Sequence, residues 1–261
     1  DVANRTGLSI AGQSGNLAPA DKKMYALRDV TATVDSIPLI AVSIMGKKLA
    51  SGSDCILLDV KTGSGAFMKT LEDSAALARC MVAIGEAAGK RTAALITNMD
   101  EPLGNYIGNA LEVKEAVEVL KGGGPSDLRQ LSLRLAAGML ELAGKGSAEE
   151  CLKQAEEALN SGRALERFLA MVKAQGGDEE CILDTDKLSA APLRREVKAE
   201  KEGYIFHIDT EKCGIASVLL GAGRETKESA LDYGAGVILK KKPGDRVARG
   251  EVMAVLYASK E

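Results

Sequence analysis

Apolar residues in the first half of the chain follow two spacings, and each spacing predicts a different kind of element. Residues 54–61 (DCILLDVK) and 91–97 (RTAALIT) are short runs rich in apolar residues, typical of strands buried in a parallel sheet. Between them, residues 71–88 carry apolar side chains at helical spacing, so that Leu77 and Met81 share one face. Strand, helix and strand in this order predict a βαβ unit with a right-handed crossover.

Helical spacing continues after this unit and then gives way to strands. It predicts helices at about residues 109–120, 128–142, 148–160 and 162–174, separated by segments that contain glycine. Beyond Pro192 the pattern predicts one long strand from Leu193 to Asp209 and a short helix over 211–220. The final segment contains two typical tight turns, Pro243-Gly244-Asp245 and Arg249-Gly250-Glu251.

A further helix is predicted over residues 36–50, with Ser36 as its N-cap and Pro38 in its first turn, where the missing N–H costs little. A face that only packs in a core is apolar throughout, whereas one face of this helix combines isoleucines with a hydroxyl and an ammonium. Spacing alone leaves two interpretations: an amphipathic helix whose lysine extends into solvent, or the wall of a pocket for a small, polar-edged ligand. The residues of this face are Ile40, Ser43, Ile44 and Lys47.

Composition narrows the class of protein. The 261 residues are 46% apolar and 27% charged, which is typical of one large or two smaller globular domains. The net charge is −3 and like charges form no long block, so nucleic-acid or membrane-surface binding has no electrostatic support. Because no apolar run approaches about 18 residues, no membrane-spanning helix is predicted.

The five cysteines are odd in number, far apart and without a CxxC motif, which argues against a zinc site or a disulfide framework and favours the reducing cytoplasm. Two of them, Cys55 and Cys80, are predicted to be buried thiols because their neighbours are apolar. His207 is the only histidine, but it falls in the predicted C-terminal strand, and we expect no acid–base role for it.

Four ordered blocks of the sequence resemble the family of pyrimidine nucleoside phosphorylases and thymidine phosphorylases. The blocks are YALRDVTATVDSIPLIAVSIMGKK (25–48), LLDVKTGSGAFM (57–68), TAALITNMDEPLG (92–104) and GNALEVKEAVEVLKGGGP (108–125). The GGGP-SDL run after the last block favours the broad pyrimidine-nucleoside enzymes over the thymidine-restricted ones. The C-terminal segment from about residue 234 resembles half of a biotinyl or lipoyl carrier barrel, a module that the family places at its C-terminal end.

The resemblance implies an α/β fold with a parallel-sheet phosphorylase domain over residues 54–190. Residues 1–53 would be part of a small helical domain and hinge, and residues 191–261 a C-terminal α+β module of barrel-sandwich type. The implied reaction is reversible phosphorolysis of uridine, thymidine or deoxyuridine to the free base and a pentose 1-phosphate. Inorganic phosphate would be the co-substrate, no organic cofactor is required, and full-length members of the family are homodimers.

The resemblance also assigns site residues. Arg28 and Lys47 match positions that stabilise the departing base as it gains negative charge, and Ser43 matches the position that contacts its imide edge. Apolar contacts to the base are implied for the residues at four further positions, although a core role is an equal alternative at the first two. These positions are Val34, Ile40, Ile44 and Phe67.

A potassium ion is implied at Leu103, Tyr106 and Glu115, where backbone oxygens and one carboxylate suit a hard cation. The alternative for Glu115 is an exposed helix residue. The run Lys61-Thr62-Gly63-Ser64-Gly65 follows a strand but lacks the spacing of a phosphate loop, so we interpret this turn as structural with a minor ligand role.

The family's phosphate-binding Lys-His-Ser run does not occur in this sequence, so we expect it upstream of Asp1 and expect no phosphorolysis by the isolated chain. Three alternatives stay open. A related phosphoribosyltransferase would need a glycine-rich diphosphate loop and acidic metal ligands. A carrier module would need a lysine at a hairpin tip, which Lys240 to Lys242 do not clearly provide. The third alternative is a non-catalytic pyrimidine-binding or structural fragment.

Overall fold

The structure is a computed structural model that describes residues 2–10, 12, 18–28, 31, 33, 36–224 and 229–260. By its internal contacts the chain divides into two compact units. One unit contains Asp1–Ser9, Met99–Leu131 and Glu157–Glu261, and the other contains Ile10–Asn98 and Ser132–Glu156. None of the helices in the described residues is long and apolar enough to cross a membrane.

Helices and strands alternate irregularly along the described residues. In chain order, the helices are α1 (Val2–Thr6), α2 (Pro19–Arg28), α3 (Ile37–Ala50), α4 (Leu71–Ala87), α5 (Asn109–Leu120), α6 (Ser126–Leu142), α7 (Ala148–Asn160), α8 (Arg163–Ala174), α9 (Glu180–Leu183) and α10 (Thr210–Leu219). The strands are β1 (Cys55–Thr62), β2 (Arg91–Asn98), β3 (Tyr106–Ile107), β4 (Leu193–Lys198), β5 (Gly203–Tyr204), β6 (Gly236–Leu239), β7 (Arg246–Val247) and β8 (Val252–Ala258).

The predicted βαβ unit is confirmed. Strands β1 and β2 pair in parallel from Cys55↔Arg91 to Thr62↔Asn98, and α4 connects them. Helix α4 begins where the Thr70 side chain accepts a hydrogen bond from the Asp73 amide at 3.1 Å. It packs closely on β2, because a Cβ at Gly85 would lie 2.1 Å from the Thr92 hydroxyl. Glycine at this position therefore sets the distance between the helix and the sheet.

One face of β1 forms the core of this unit. Ile56, Leu58 and Val60 alternate along the strand and are buried. The same cluster contains Leu77 and Met81 from α4 and Ile40 and Met45 from α3. The opposite face is less buried: Leu57 meets α6 at Gly138, and Asp59 is exposed. The prediction of a strand buried on both sides therefore holds for one face only.

The other unit contains a sheet in the order β3-β6-β8-β4, with antiparallel pairing throughout. Its short strand β3 comes from the middle of the chain and pairs Tyr106 with Ile238. The backbones come very close at this edge, since a Cβ at Gly236, whose φ is +151°, would lie 2.0 Å from the Ile107 carbonyl oxygen. Strand β6 is buried along its whole length. The domain boundaries at residues 53 and 190 stay predictions.

The helices predicted between residues 109 and 174 are confirmed to within two residues, and both tight turns near the C-terminus are present. The long strand from Leu193 to Asp209 is wrong. Strand β4 ends at Lys198, and the polar run 200–202 separates it from the short β5. These charged residues offer no apolar face to either side, so the strand is interrupted. His207 lies beyond β5, exposed and outside any strand.

Two smaller expectations also need correction. Ser36 precedes α3 with an extended backbone, but its side chain makes no capping hydrogen bond, and the helix begins with the Ile40 amide donating to the Ser36 carbonyl at 2.9 Å. Cys55 and Cys80 are half-buried rather than buried. Cys55 lies on the less covered face of β1, and Cys80 packs against the edge of the core from α4. The fully buried thiol is Cys151 on α7.

We predict that Met45→Ala lowers the free energy of unfolding by about 2 to 5 kcal/mol, because Met45 is 0% exposed and its removal leaves a cavity between α3, α4 and β1. Urea denaturation measures the loss. The matched control is Met139→Ala on α6, whose side chain is 55% exposed, and it should change stability by about 0.5 kcal/mol or less. Equal effects of the two substitutions would contradict this picture of the core.

Candidate functional site

The predicted polar face of helix α3 is partly buried. Ile40 and Ser43 are buried, and Ile44 packs against the core from its edge. Lys47 lies one turn further on, half-buried, and its Nζ pairs with Asp21 Oδ2 of α2 at 3.4 Å. Ile40 belongs to the hydrophobic cluster with β1 and α4, which supports the core alternative for this residue. The helix thus presents a buried hydroxyl and an anchored ammonium.

Asp21, which sequence reasoning did not single out, pairs with the predicted site residue Lys47. Its side chain is 13% exposed, and it holds the ammonium of Lys47 beside α2, the helix that ends at Arg28. The only local signal is an acidic residue in the first turn of α2. The side chain of Arg28 and all of Val34 lie outside the described residues, so their roles stay predictions.

The turn after β1 presents an aromatic side chain to solvent. The Gly63 amide donates to the Met68 carbonyl at 3.1 Å, the Ala66 amide donates to the Gly63 carbonyl at 3.0 Å, and Met68 is buried. Phe67 in the same turn is 68% exposed. An aromatic ring that contributes little to the core and sits on a hydrogen-bonded turn is available to contact a ligand.

A second polar group lies at the carboxyl ends of β1 and β2, and sequence reasoning singled out only its Lys61. Lys61 Nζ donates to Asp59 Oδ2 at 2.7 Å and to Thr97 Oγ1 at 3.0 Å, and the Thr97 hydroxyl donates to the other oxygen of Asp59. Residues 61 and 97 are register partners in the parallel pair. Because α/β proteins bind ligands outside the carboxyl ends of parallel strands, this polar cluster is well placed for substrate contact. Its only sequence signal is weak: polar residues at alternate positions of a strand.

Two of the three predicted cation ligands, Tyr106 and Glu115, come together in the other unit. Glu115 on α5 is 2% exposed, and its carboxylate accepts hydrogen bonds from the amides of Asn105 at 2.7 Å and Tyr106 at 3.4 Å. Burial raises the pKa of Glu115 above its ordinary value, although these two hydrogen bonds oppose the rise. The alternative of an exposed Glu115 is therefore wrong.

The arrangement fits a monovalent cation in part. A carboxylate beside a sharply turned backbone supplies the hard oxygen atoms that such ions prefer. Gly104 makes the turn with a φ of +67°, and a Cβ there would lie 2.3 Å from Glu115 Oε2. In the part of the chain that the structure describes, no group of three or more His, Cys, Asp or Glu side chains could hold a metal ion. A cation at this turn would therefore rely on backbone carbonyls.

Asp127 holds the same turn from α6. Its carboxylate accepts hydrogen bonds from the amides of Gly104 at 3.0 Å and Leu128 at 2.8 Å. Burial opposes its ionisation, but hydrogen bonds from the Leu128 and Gly104 amides and the charge of Lys242 outweigh burial and lower the pKa of Asp127. The ionised carboxylate therefore stabilises the folded turn.

Two family models match the chain. Residues 1–165 match the glycosyl transferase family, a/b domain, and residues 204–261 match the pyrimidine nucleoside phosphorylase C-terminal domain. Since the first match covers more than half of the chain, the chain belongs to this glycosyl transferase family, and the predicted α/β fold class is confirmed.

Over all 261 residues the chain is 52% identical to the pyrimidine-nucleoside phosphorylase of Bacillus subtilis (strain 168). The same identity relates it to the pyrimidine-nucleoside phosphorylases of Staphylococcus aureus strains USA300 and N315. The resemblance inferred from the four sequence blocks is therefore confirmed. The chain spans 60% of the length of each of these relatives.

We predict that Asp127→Asn lowers the free energy of unfolding at pH 7 and that its effect shrinks as the pH falls towards 3. The lowered pKa means that the carboxylate stabilises the fold above its unfolded-state pKa of about 4, and this stabilisation is lost as the pH falls through the folded-state value. Urea denaturation at several pH values measures the difference. As a control, Asp54→Asn removes an almost fully exposed carboxylate. An Asp127→Asn effect independent of pH would contradict the assignment.

Proposed function

We propose that the chain forms the pyrimidine-binding part of a pyrimidine nucleoside phosphorylase, a pentosyltransferase. The enzyme would convert uridine, thymidine or deoxyuridine and inorganic phosphate reversibly into the free base and ribose or deoxyribose 1-phosphate. The single observation that carries the proposal is the face of α3, where a buried Ser43 and an anchored Lys47 occupy adjacent turns. The relatives that share 52% identity along the whole chain carry the name of this activity.

The proposed role of these residues follows from the charge of the leaving group. When phosphate displaces the base from the pentose C1′, the base departs with the electron pair of the broken bond and carries negative charge on its ring and carbonyl oxygens. Arg28 and Lys47 would donate hydrogen bonds to these oxygens, and the bonds strengthen as charge develops. Ser43 would serve the imide edge, since a hydroxyl both donates and accepts.

The contact between Lys47 and Asp21 suits this role. An ammonium has three N–H donors, so an ion pair with Asp21 is compatible with donation to a base. The ion pair with the carboxylate limits the directions that the ammonium can take. Asp21 would therefore act as a positioning residue.

The remaining assignments have weaker support. Ile40 and Ile44 would form the wall behind the base from the buried side, and Phe67 would cover the base from its exposed turn. Leu103, Tyr106 and Glu115 would hold a potassium ion through two carbonyl oxygens and one carboxylate. The five cysteines are all free thiols, which supports a cytoplasmic protein, and we infer a homodimer for the full-length enzyme.

In the full-length enzyme, we predict that Lys47→Ala and Arg28→Ala each reduce kcat/KM for uridine by about 2 to 4 kcal/mol of transition-state stabilisation, and Ser43→Ala by about 1 to 3 kcal/mol. Base release in excess phosphate measures the loss. Lys48→Ala is the matched control, because this neighbouring lysine is exposed on α3, and it should leave kcat/KM unchanged. Wild-type kinetics in Lys47→Ala would show that Lys47 only extends along the surface of α3.

Phe67→Ala should separate ligand contact from folding. Its exposed side chain predicts a stability change of about 0.5 kcal/mol or less, whereas loss of an aromatic contact to the base should raise KM for uridine by about three- to tenfold. Steady-state kinetics and urea denaturation on the same variant provide both values. If KM is unchanged while the fold is intact, Phe67 makes no contact with the base.

A further inference from the structure

The ammonium of Lys242 lies among oxygen atoms of a distant segment of the chain. Its Nζ donates to the carbonyl oxygens of Pro102 and Gly104, the latter at 3.0 Å. The carboxylates of Asp127 and Glu101 lie 3.4 Å and 3.5 Å from the same nitrogen. Two carbonyls and two carboxylates around one positive charge resemble the oxygen shell of a bound monovalent cation.

Glu101, Pro102 and Gly104 belong to one sharply bent segment, and this segment depends on charged partners. The amide of Gly104 donates to Asp127, and the amides of Asn105 and Tyr106 donate to the buried carboxylate of Glu115. The carbonyls of the same segment turn to Lys242. Because converging carbonyl dipoles and carboxylates repel each other, a positive charge at their centre stabilises the bend.

The position of Lys242 is itself fixed by the tight turn that follows it. Its backbone amide donates to Asp245 Oδ2 at 2.8 Å, and the Gly244 amide donates to the Ile205 carbonyl at 2.8 Å. The nearby strand β6 adds a second link, since the Leu239 amide donates to the Asn105 carbonyl at 2.8 Å. The C-terminal segment thus presents the lysine at a defined place.

The neighbouring lysines are used differently. Lys240 is exposed, and Lys241 pairs with Glu251 at 2.6 Å within the C-terminal segment. Lys242 alone of the three reaches the bent segment, 140 positions away in sequence from its Pro102 partner. This arrangement argues against a carrier lysine at this turn, because a carrier lysine has to be free for modification.

We propose that Lys242 is a tethered cation. Its ammonium occupies an oxygen-lined site formed by Pro102, Gly104, Glu101 and Asp127, and through this site the C-terminal segment fixes residues 101–106. Since Tyr106 belongs to that segment and Glu115 accepts hydrogen bonds from its amides, Lys242 is a positioning residue for both. If the side chain is removed, the site should accept a small primary ammonium ion from solution.

Amide hydrogen exchange of the whole chain, measured by NMR in buffer free of potassium and ammonium, tests the proposal. We expect Lys242→Ala to speed exchange of the Gly104, Asn105 and Tyr106 amides by about tenfold or more, with the β1 amides unchanged. Lys241→Ala is the matched control, because it removes the adjacent ammonium and its pair with Glu251, and it should leave the three amides unchanged. Wild-type exchange of these amides in Lys242→Ala overturns the proposal.

Chemical rescue distinguishes a tethered cation from a merely structural side chain. Propylammonium replaces the atoms that Lys242→Ala removes and should restore protection of the three amides. Tetramethylammonium at the same ionic strength has no N–H donor and should not restore it. Selective loss of protection without rescue by propylammonium, or equal rescue by both salts, refutes the tethered cation.

A second variant keeps the test decisive if Lys242→Ala also loses protection in β1. Lys242→Met retains the aliphatic stem and removes only the charge and the donors. Selective loss of protection at the three amides in folded Lys242→Met supports the proposal, and unchanged protection there refutes it.

Discussion

The burial of one face of β1 is the constraint on which the candidate base site depends. Ile56, Leu58 and Val60 leave water only if α3 and α4 cover them, and the core formed in this way fixes both helices against the strand. The side of α3 that carries Ser43 and Lys47 is thereby fixed relative to β1. The turn with Phe67 is set by the same packing, because buried Met68 belongs to the same cluster.

Polar groups at the edge of this core are held by paired charges rather than by packing. Lys47 is anchored by Asp21, and Lys61 is anchored by Asp59 and Thr97. Such partly exposed ion pairs contribute little to stability, about 0 to 1 kcal/mol each. Their value lies in orientation, since each holds a cationic head in a defined place. That is the property a site needs if it is to stabilise charge developing on a leaving base.

In the other unit, the bend at residues 101–106 requires hydrogen-bond partners for its backbone amides and carbonyls. A buried backbone amide or carbonyl without a partner costs about 1 to 3 kcal/mol. In the segment 101–106, charged side chains supply the partners. Asp127 and Glu115 accept hydrogen bonds from its amides, and Lys242 donates hydrogen bonds to its carbonyls. Charges of both signs therefore contact one short backbone segment. The raised pKa of Glu115 and the lowered pKa of Asp127 show how differently burial and neighbouring charge act on two carboxylates beside the same turn.

The sequence by itself determined the local elements and the family. Helical spacing located α5 and α7 to the residue, and the βαβ order predicted the parallel pairing, because periodicity reflects which side of an element is buried. Motif blocks identified the family that the comparisons confirm. Only the tertiary structure decided that Glu115 is buried, that Asp21 meets Lys47 and that Lys242 reaches a bend formed by residues 140 positions earlier. These contacts join residues far apart in the chain, and no local pattern encodes a partner whose position is set by the packing of several elements.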